Sequence, residues 1–199
     1  MIEILSKHIP KNAVELVDEI LSEYPITIKI VNNRTSKHGD FKKTKNGSFQ
    51  ITINNNLNSY QFLVTLIHEI AHFVTFKKQP FVKPHGKEWK LNFQHLILPF
   101  LKPSIFPLEL LPYLANYFKN PKASTSSDVK LTYALKQYDQ LSGKNFIFEL
   151  QQGSIFSFNN KNYKKGAIRR TRIECMELST NKIYLFNQNA EVKQLKNYE

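Results

Sequence analysis

Leu66-Ile67-His68-Glu69-Ile70-Ala71-His72 is the stretch whose reading decides the fold, and it spells H-E-x-x-H. On a helix, His68 and His72 stand at i and i+4 on one face, so two imidazoles are aimed at one point. Glu69 lies about 100° further round. That takes it off the histidines' face but leaves it near enough to reach a water held beside them. Two nitrogen ligands, an open coordination position and an adjacent carboxylate are what metal-assisted hydrolysis requires.

The flanking residues predict that the stretch is helical. Asn58-Ser59 offers an N-cap, and Gln61 stands three residues after Asn58, as in a capping box. Phe62, Leu63, Val64, Leu66, Ile67, Ile70, Phe73, Val74 and Phe76 then carry apolar surface to Lys77-Lys78, and Pro80 stops the helix soon after. Nearly every face is apolar, which predicts a central, buried helix. Two histidines and a glutamate there are unfavourable unless paired or bound to something. The plainer reading is a chance match of a short motif, but chance matches often fall outside helices, and this one sits mid-helix.

A third ligand is needed. Phe73-Val74-Thr75-Phe76-Lys77-Lys78 follows His72, which excludes the extended H-E-x-x-H-x-x-G-x-x-H pattern. The next candidates are His85 and Glu88 in Pro84-His85-Gly86-Lys87-Glu88-Trp89. A second helix starting at His85 and running to Leu98 would place the two at i and i+3, both able to face the metal. His85 would make a three-histidine site and Glu88 a two-histidine, one-glutamate site. Spacing leaves both open.

H-E-x-x-H, a short loop, then H-G-x-x-W resembles the SprT family of zinc metalloproteases. The upstream order is similar too: a strand from Ile26 to Val31, then Arg34-Thr35-Ser36-Lys37-His38-Gly39, then a strand from Phe49 to Ile53 running into Asn54 and Leu57. The resemblance spans residues 10–120. It implies one zinc ion on His68, His72 and His85, with Glu69 as the catalytic base and Trp89 packed behind the third ligand. It implies an endopeptidase acting on protein or peptide, with DNA-associated or DNA-crosslinked proteins as substrates. DNA, single-stranded or duplex, is the implied partner. Many members of the family also carry a zinc ribbon of paired cysteines. Cys175 stands alone here, so a four-cysteine site is impossible and a second zinc is not expected.

The 199 residues suffice for one domain or two small ones. Apolar runs are short, so no membrane span is expected. Met1-Ile2-Glu3-Ile4-Leu5 has an early acid and lacks signal-peptide architecture. With one cysteine, a cytoplasmic location is the expectation. Net charge is +12. Residues 1–128 carry 16 basic and 10 acidic side chains, and residues 129–199 carry 12 and 6, so positive charge is denser in the C-terminal part. An anionic partner, nucleic acid first, is the natural hypothesis; solubility alone is the bland one.

In chain order, residues 11–24 show helical spacing and Pro25 ends them. Residues 26–31 and 48–54 alternate as strands around a basic loop, 32–46, which holds His38 as a remote extra ligand. The apolar neighbours of His95 predict a core histidine. The KNPKASTSSD segment, 119–128, reads as a boundary, giving a domain over 1–120, a linker over 121–128 and a second domain over 129–199. That second domain opens with a helix over 129–140. Strands are then predicted at 146–148, 154–158, 168–176, 183–186 and 190–195, with turns at Gly153, Asn159-Asn160 and Gly166. The fold class expected is α+β: a zincin-like catalytic domain, with a small sheet packed on the motif helix, followed by a small antiparallel β domain.

Residues 161–172 contain six basic groups and no acid. Lys164, Lys165, Arg169, Arg170 and Arg172 are candidate phosphate contacts. Tyr163, with Phe156 and Phe158, is a candidate platform for stacking single-stranded bases. The opposing reading is that the aromatics alternate into a core and the lysines solvate an edge. Two rival functions remain: a nucleic-acid-binding protein with a structural or inactive zinc, and a peptidase cleaving one regulator without DNA.

Overall fold

In a computed structural model the described residues are 1–34, 36–139 and 143–195. The protein is α+β, and it divides into two compact units, Met1–Asp139 and Gln140–Glu199.

In the first unit, helices α1 (Ile2–Leu5) and α2 (Val14–Ser22) precede strands β1 (Ile26–Val31), β2 (Gly39–Lys43) and β3 (Phe49–Asn54). The sheet order is β1-β3-β2, with β3 parallel to β1 and antiparallel to β2. Residues 39–43 read as loop in the sequence because only Phe41 is apolar; backbone pairing with β3, from Gly39↔Ile53 to Lys43↔Phe49, makes them a strand.

Helix α3 (Ser59–Lys78) carries the motif and is the centre of the unit. Asn58 caps it by accepting the Tyr60 and Gln61 amides at 3.1 and 2.9 Å. The Gln61 side chain does not turn back to the cap: its Nε2 donates to Thr65 Oγ1 and Thr125 Oγ1 at 3.4 and 3.2 Å. Phe62, Leu63, Val64, Leu66, Ile67, Ile70, Ala71 and Phe73 are fully buried. Their combined burial is what holds the helix, at roughly 1.5–3 kcal/mol for each large side chain. Phe73 meets the Phe49 ring of β3 at 5.0 Å and the Tyr24 ring at 5.4 Å, which fixes the sheet against the helix. Helix α4 (Lys87–Ile97) packs on α3, with Trp89, Phe93 and Ile97 buried.

Helices α5 (Leu111–Phe118) and α6 (Val129–Lys136) complete the unit. Leu131 and Leu135 of α6 lie in its core, Thr125 is buried, and the Tyr117 hydroxyl donates to Lys122 O at 2.9 Å. The units therefore divide after Asp139, not at the linker expected over 121–128. The small polar residues there form a 3₁₀ turn, Thr125–Ser127, and a cap at Asp128.

The second unit is one antiparallel sheet of β4 (Asn145–Phe146), β5 (Ile155–Phe158), β6 (Lys161–Arg169), β7 (Arg172–Glu177), β8 (Ile183–Asn187) and β9 (Glu191–Gln194), in the order β4-β9-β5-β6-β7-β8. Asn159 and Asn160 both take positive φ in the β5–β6 hairpin, the pattern of a two-residue turn suited to strand twist. The single strand expected over 168–176 is instead broken. Arg169 pairs with Arg172, and Arg170 turns the chain at φ 52°. Ile147, Leu150, Phe156, Tyr163, Ile173, Cys175 and Val192 form the core. Among the described residues, no helix is long and apolar enough to cross a membrane.

Candidate metal centre

His68 and His72 project from adjacent turns of α3, as the i, i+4 spacing requires. His85 comes from the α3–α4 connection. It does not begin the second helix: its φ is 58°, and Gly86 is the N-cap of α4. That left-handed residue, rare outside glycine, turns the imidazole back towards α3. The expected i, i+3 relation to Glu88 consequently fails, and Glu88 is not part of the ligand cluster, which holds His68, His72 and His85.

The three Nε2 atoms converge. His72 is 3.2 Å from His68 and 2.9 Å from His85, and His85 is 3.3 Å from His68. Mutual hydrogen bonding cannot account for this. Each Nε2 either carries a hydrogen or offers a lone pair, so at least two of three are alike and at least one contact repels. A shared cation satisfies all three lone pairs. Tetrahedral Zn–N bonds of about 2.0–2.1 Å place their nitrogens about 3.3 Å apart, and the observed spacings lie at or slightly inside that value.

Trp89 is fully buried and walls the trio. Its ring centroid is 4.6 Å from that of His68, 5.2 Å from His72 and 4.7 Å from His85. The enclosure favours neutral imidazoles, the form that ligates. Burial holds His68 well below its ordinary value, aided by His72 and His85; it lowers His72 to about 4 and also lowers His85.

Glu69 is 6% exposed. Burial, then the Asp40 charge, raises its carboxyl to about 8, against the pull of the Phe41 amide, Lys37 and Arg34. A cation at the trio acts in the opposite direction and favours the carboxylate. Gly39 provides the room: a Cβ there would fall 2.7 Å from Glu69 Oε1 and 2.8 Å from Thr65 Cγ2. The strand bearing Gly39 is set by a polar knot. Arg34 donates to Asn54 Oδ1 at 2.8 Å and Thr52 Oγ1 at 3.0 Å, and the Asn54 amide donates to Lys37 O at 2.9 Å. Arg34 is thus a structural cation, not a solvated one. Gly39 and Asn54 were visible in the sequence only as parts of the order upstream of the motif, without roles, and Arg34 only as one cation of the basic loop over 32–46, open to a solvated or a phosphate-contacting reading.

Other expectations need correction. His95 is exposed, not in the core, because it falls on the outer face of α4. His38 is exposed and outside the trio. In the second unit, Tyr163 is buried and stacks on Phe156, so neither ring offers a face to a base. Lys165 is buried as well, its ammonium donating to Phe148 O at 3.2 Å and to Leu150 O. Lys164, Arg169, Arg170 and Arg172 are exposed, with Arg169 paired to Glu174 at 2.8 Å. Strand alternation explains the split: Tyr163 and Lys165 point to the core and Lys164 points away.

Residues 12–98 match the family model described as SprT-like family, the stretch that contains the sheet, the motif helix and all three histidines. No curated protein and no solved structure matches the chain.

Proposed function

We propose, from the SprT-like character of residues 12–98, that the first unit is a zinc-dependent endopeptidase of zincin-like build. The observation that carries the reading is the convergence of three Nε2 atoms within 3.3 Å, beside a glutamate that is not itself in the cluster. His68, His72 and His85 would hold the ion. Zinc bound there supplies a Lewis acid that polarises a carbonyl and lowers the pKa of a water towards about 7.

The chain's own residues do the rest. Glu69 accepts the water's proton as attack on the carbonyl proceeds, then passes it to the departing amine. The Phe41 amide and Gly39 keep its carboxyl facing that water. Trp89 excludes bulk solvent behind the ligands. The three-histidine set leaves one coordination position for water and substrate, which argues against a purely structural metal, whose site is normally closed by a fourth protein ligand. DNA as a recruiting partner, and proteins attached to DNA as substrates, extend the proposal. They rest on the family likeness and on the net charge of +12.

The test is cleavage of an unstructured protein such as casein by zinc-loaded wild type and Glu69→Gln. Wild type should cleave. Glu69→Gln should keep its zinc and lose about 10²–10⁴-fold of the rate, because an amide cannot take the proton. Equal rates in the two would remove Glu69 from the chemistry.

A further inference from the structure

The strongest feature left unused lies beside the third ligand. An open surface cavity of about 370 Å³ is lined by His85, Gly86, Lys87, Lys90, Leu91, Gln94, Lys119, Asn120 and Pro121. Three of these are lysines, and among the described residues lining it there is no aspartate or glutamate. None of the three lysines takes part in a described ion pair. The walls are fixed to one another. Lys90 Nζ donates to Asn120 Oδ1 at 2.7 Å, and Gln94 Nε2 donates to Phe118 O at 2.6 Å, tying α4 to the end of α5. The start of α4 also opens here without a side-chain cap, but Glu88 in its first turn offsets the positive potential of the helix end, so the three lysines supply the cavity's charge.

Resting on the peptidase reading above, we propose that this cavity is a specificity subsite for an acidic side chain, aspartate or glutamate, of the substrate close to the scissile bond. Its place decides between anions. His85 contributes Nε2 to the trio and also lines the cavity, so an occupant touches a ligand of the metal. An extended chain advances about 3.3–3.6 Å per residue, so a side chain that contacts His85 from the cavity belongs to a residue near the one whose carbonyl lies at the trio. A substrate side chain meets that limit naturally. A nucleic-acid strand threaded there would crowd the position that the carbonyl needs. Lysine suits this role, because a mobile point charge on a long stem engages a carboxylate without demanding one geometry.

The experiment measures binding, so that it does not depend on turnover. Zinc-loaded Glu69→Gln is titrated with labelled alanine-rich hexapeptides that carry glutamate, glutamine or lysine at each position in turn, with anisotropy as the readout. At one or two positions the glutamate peptide should bind about tenfold more tightly than the glutamine peptide. Combining Lys87→Gln, Lys90→Gln and Lys119→Gln should erase the difference. The corresponding lysine-to-glutamate set should reverse it in favour of the lysine peptide. All three side chains lie on the surface of α4 or just after α5, so these variants should fold and keep zinc.

Equal binding of the three peptides, or a preference that survives the lysine variants, overturns the proposal. So does a labelled single-stranded oligonucleotide that loses affinity in those variants while the peptides stay undiscriminated; the cavity would then serve phosphate. Casein cleavage by wild type keeps the two readings apart. No cleavage, with lysine-dependent binding of the acidic peptide intact, would sink the peptidase and leave the anion subsite standing.

Discussion

Glu69 is the single residue on which the proposed chemistry turns, and its burial has a consequence for stability. In the metal-free protein its folded-state value, about 8, lies above its ordinary 4.5. The folded state thus holds a proton that the unfolded state gives up. The contribution is fully present below about 4.5 and is lost as pH rises towards 8. Denaturant melts of chelated wild type and Glu69→Gln between these limits should show wild type losing on the order of 2–4 kcal/mol relative to the variant. The histidines act with the opposite sign. The folded His72, near 4, loses stability as pH falls below its ordinary 6.5, so the comparison is cleanest above that value. Parallel pH profiles for the two proteins would mean that Glu69 is solvated, not buried. Gly39 offers a second check. A methyl group there meets Glu69 Oε1 at 2.7 Å, so Gly39→Ala should retain zinc yet lose about 10- to 100-fold of turnover through a misplaced base. Unchanged turnover would show that the carboxyl has room to shift.

The elements explain why these residues meet, and how much of this was legible beforehand. Helix α3 could be read almost to the residue, because its apolar periodicity, its Asn58 cap and its closing lysines all point one way. Strand β2 could not be read, since GDFKK has no alternation and is held by the backbone of β3. The third ligand was open between His85 and Glu88 by spacing alone. What brings His85, and not Glu88, to the other two histidines is a left-handed residue at 85, which no propensity announces. The second unit showed its class but not its orientation: a bulge between Lys165 and Ile168 and the turn at Arg170 settle which side chains face inward. Trp89 joins α4 to all three histidines, so Trp89→Ala should lower stability by about 3–5 kcal/mol. It should also weaken zinc retention against a chelator, since the ligand segment loses its backing. Calorimetry with and without zinc measures both. A variant that melts lower but holds zinc as tightly as wild type would make Trp89 a core residue only.

At the scale of the molecule, the unit that carries the histidine trio is joined to a basic β unit that has no part in it. Lys164, Arg169, Arg170 and Arg172 are exposed cations of the run singled out in the sequence; Lys161 is exposed too but pairs with Glu177 at 2.8 Å. If DNA is a partner through this unit, changing these four to glutamine should weaken oligonucleotide binding. Its salt dependence should flatten by about 0.7–0.9 for each phosphate that is no longer neutralised. Tyr163→Ala is expected to damage folding instead of base stacking, because the ring is 6% exposed. Zinc content should be the same in wild type and the four-site variant. An unchanged salt slope would move any DNA binding to the first unit or dispense with DNA altogether. The central claim, an open zinc site on three histidines beside Glu69, is tested most directly by a crystal structure of the zinc-loaded protein with anomalous data at the zinc edge. The expected result is one zinc per chain, bound by His68, His72 and His85 Nε2 at about 2.0–2.1 Å, with a water as its fourth ligand. A zinc closed by a fourth protein side chain, or bound away from these histidines, would contradict the account.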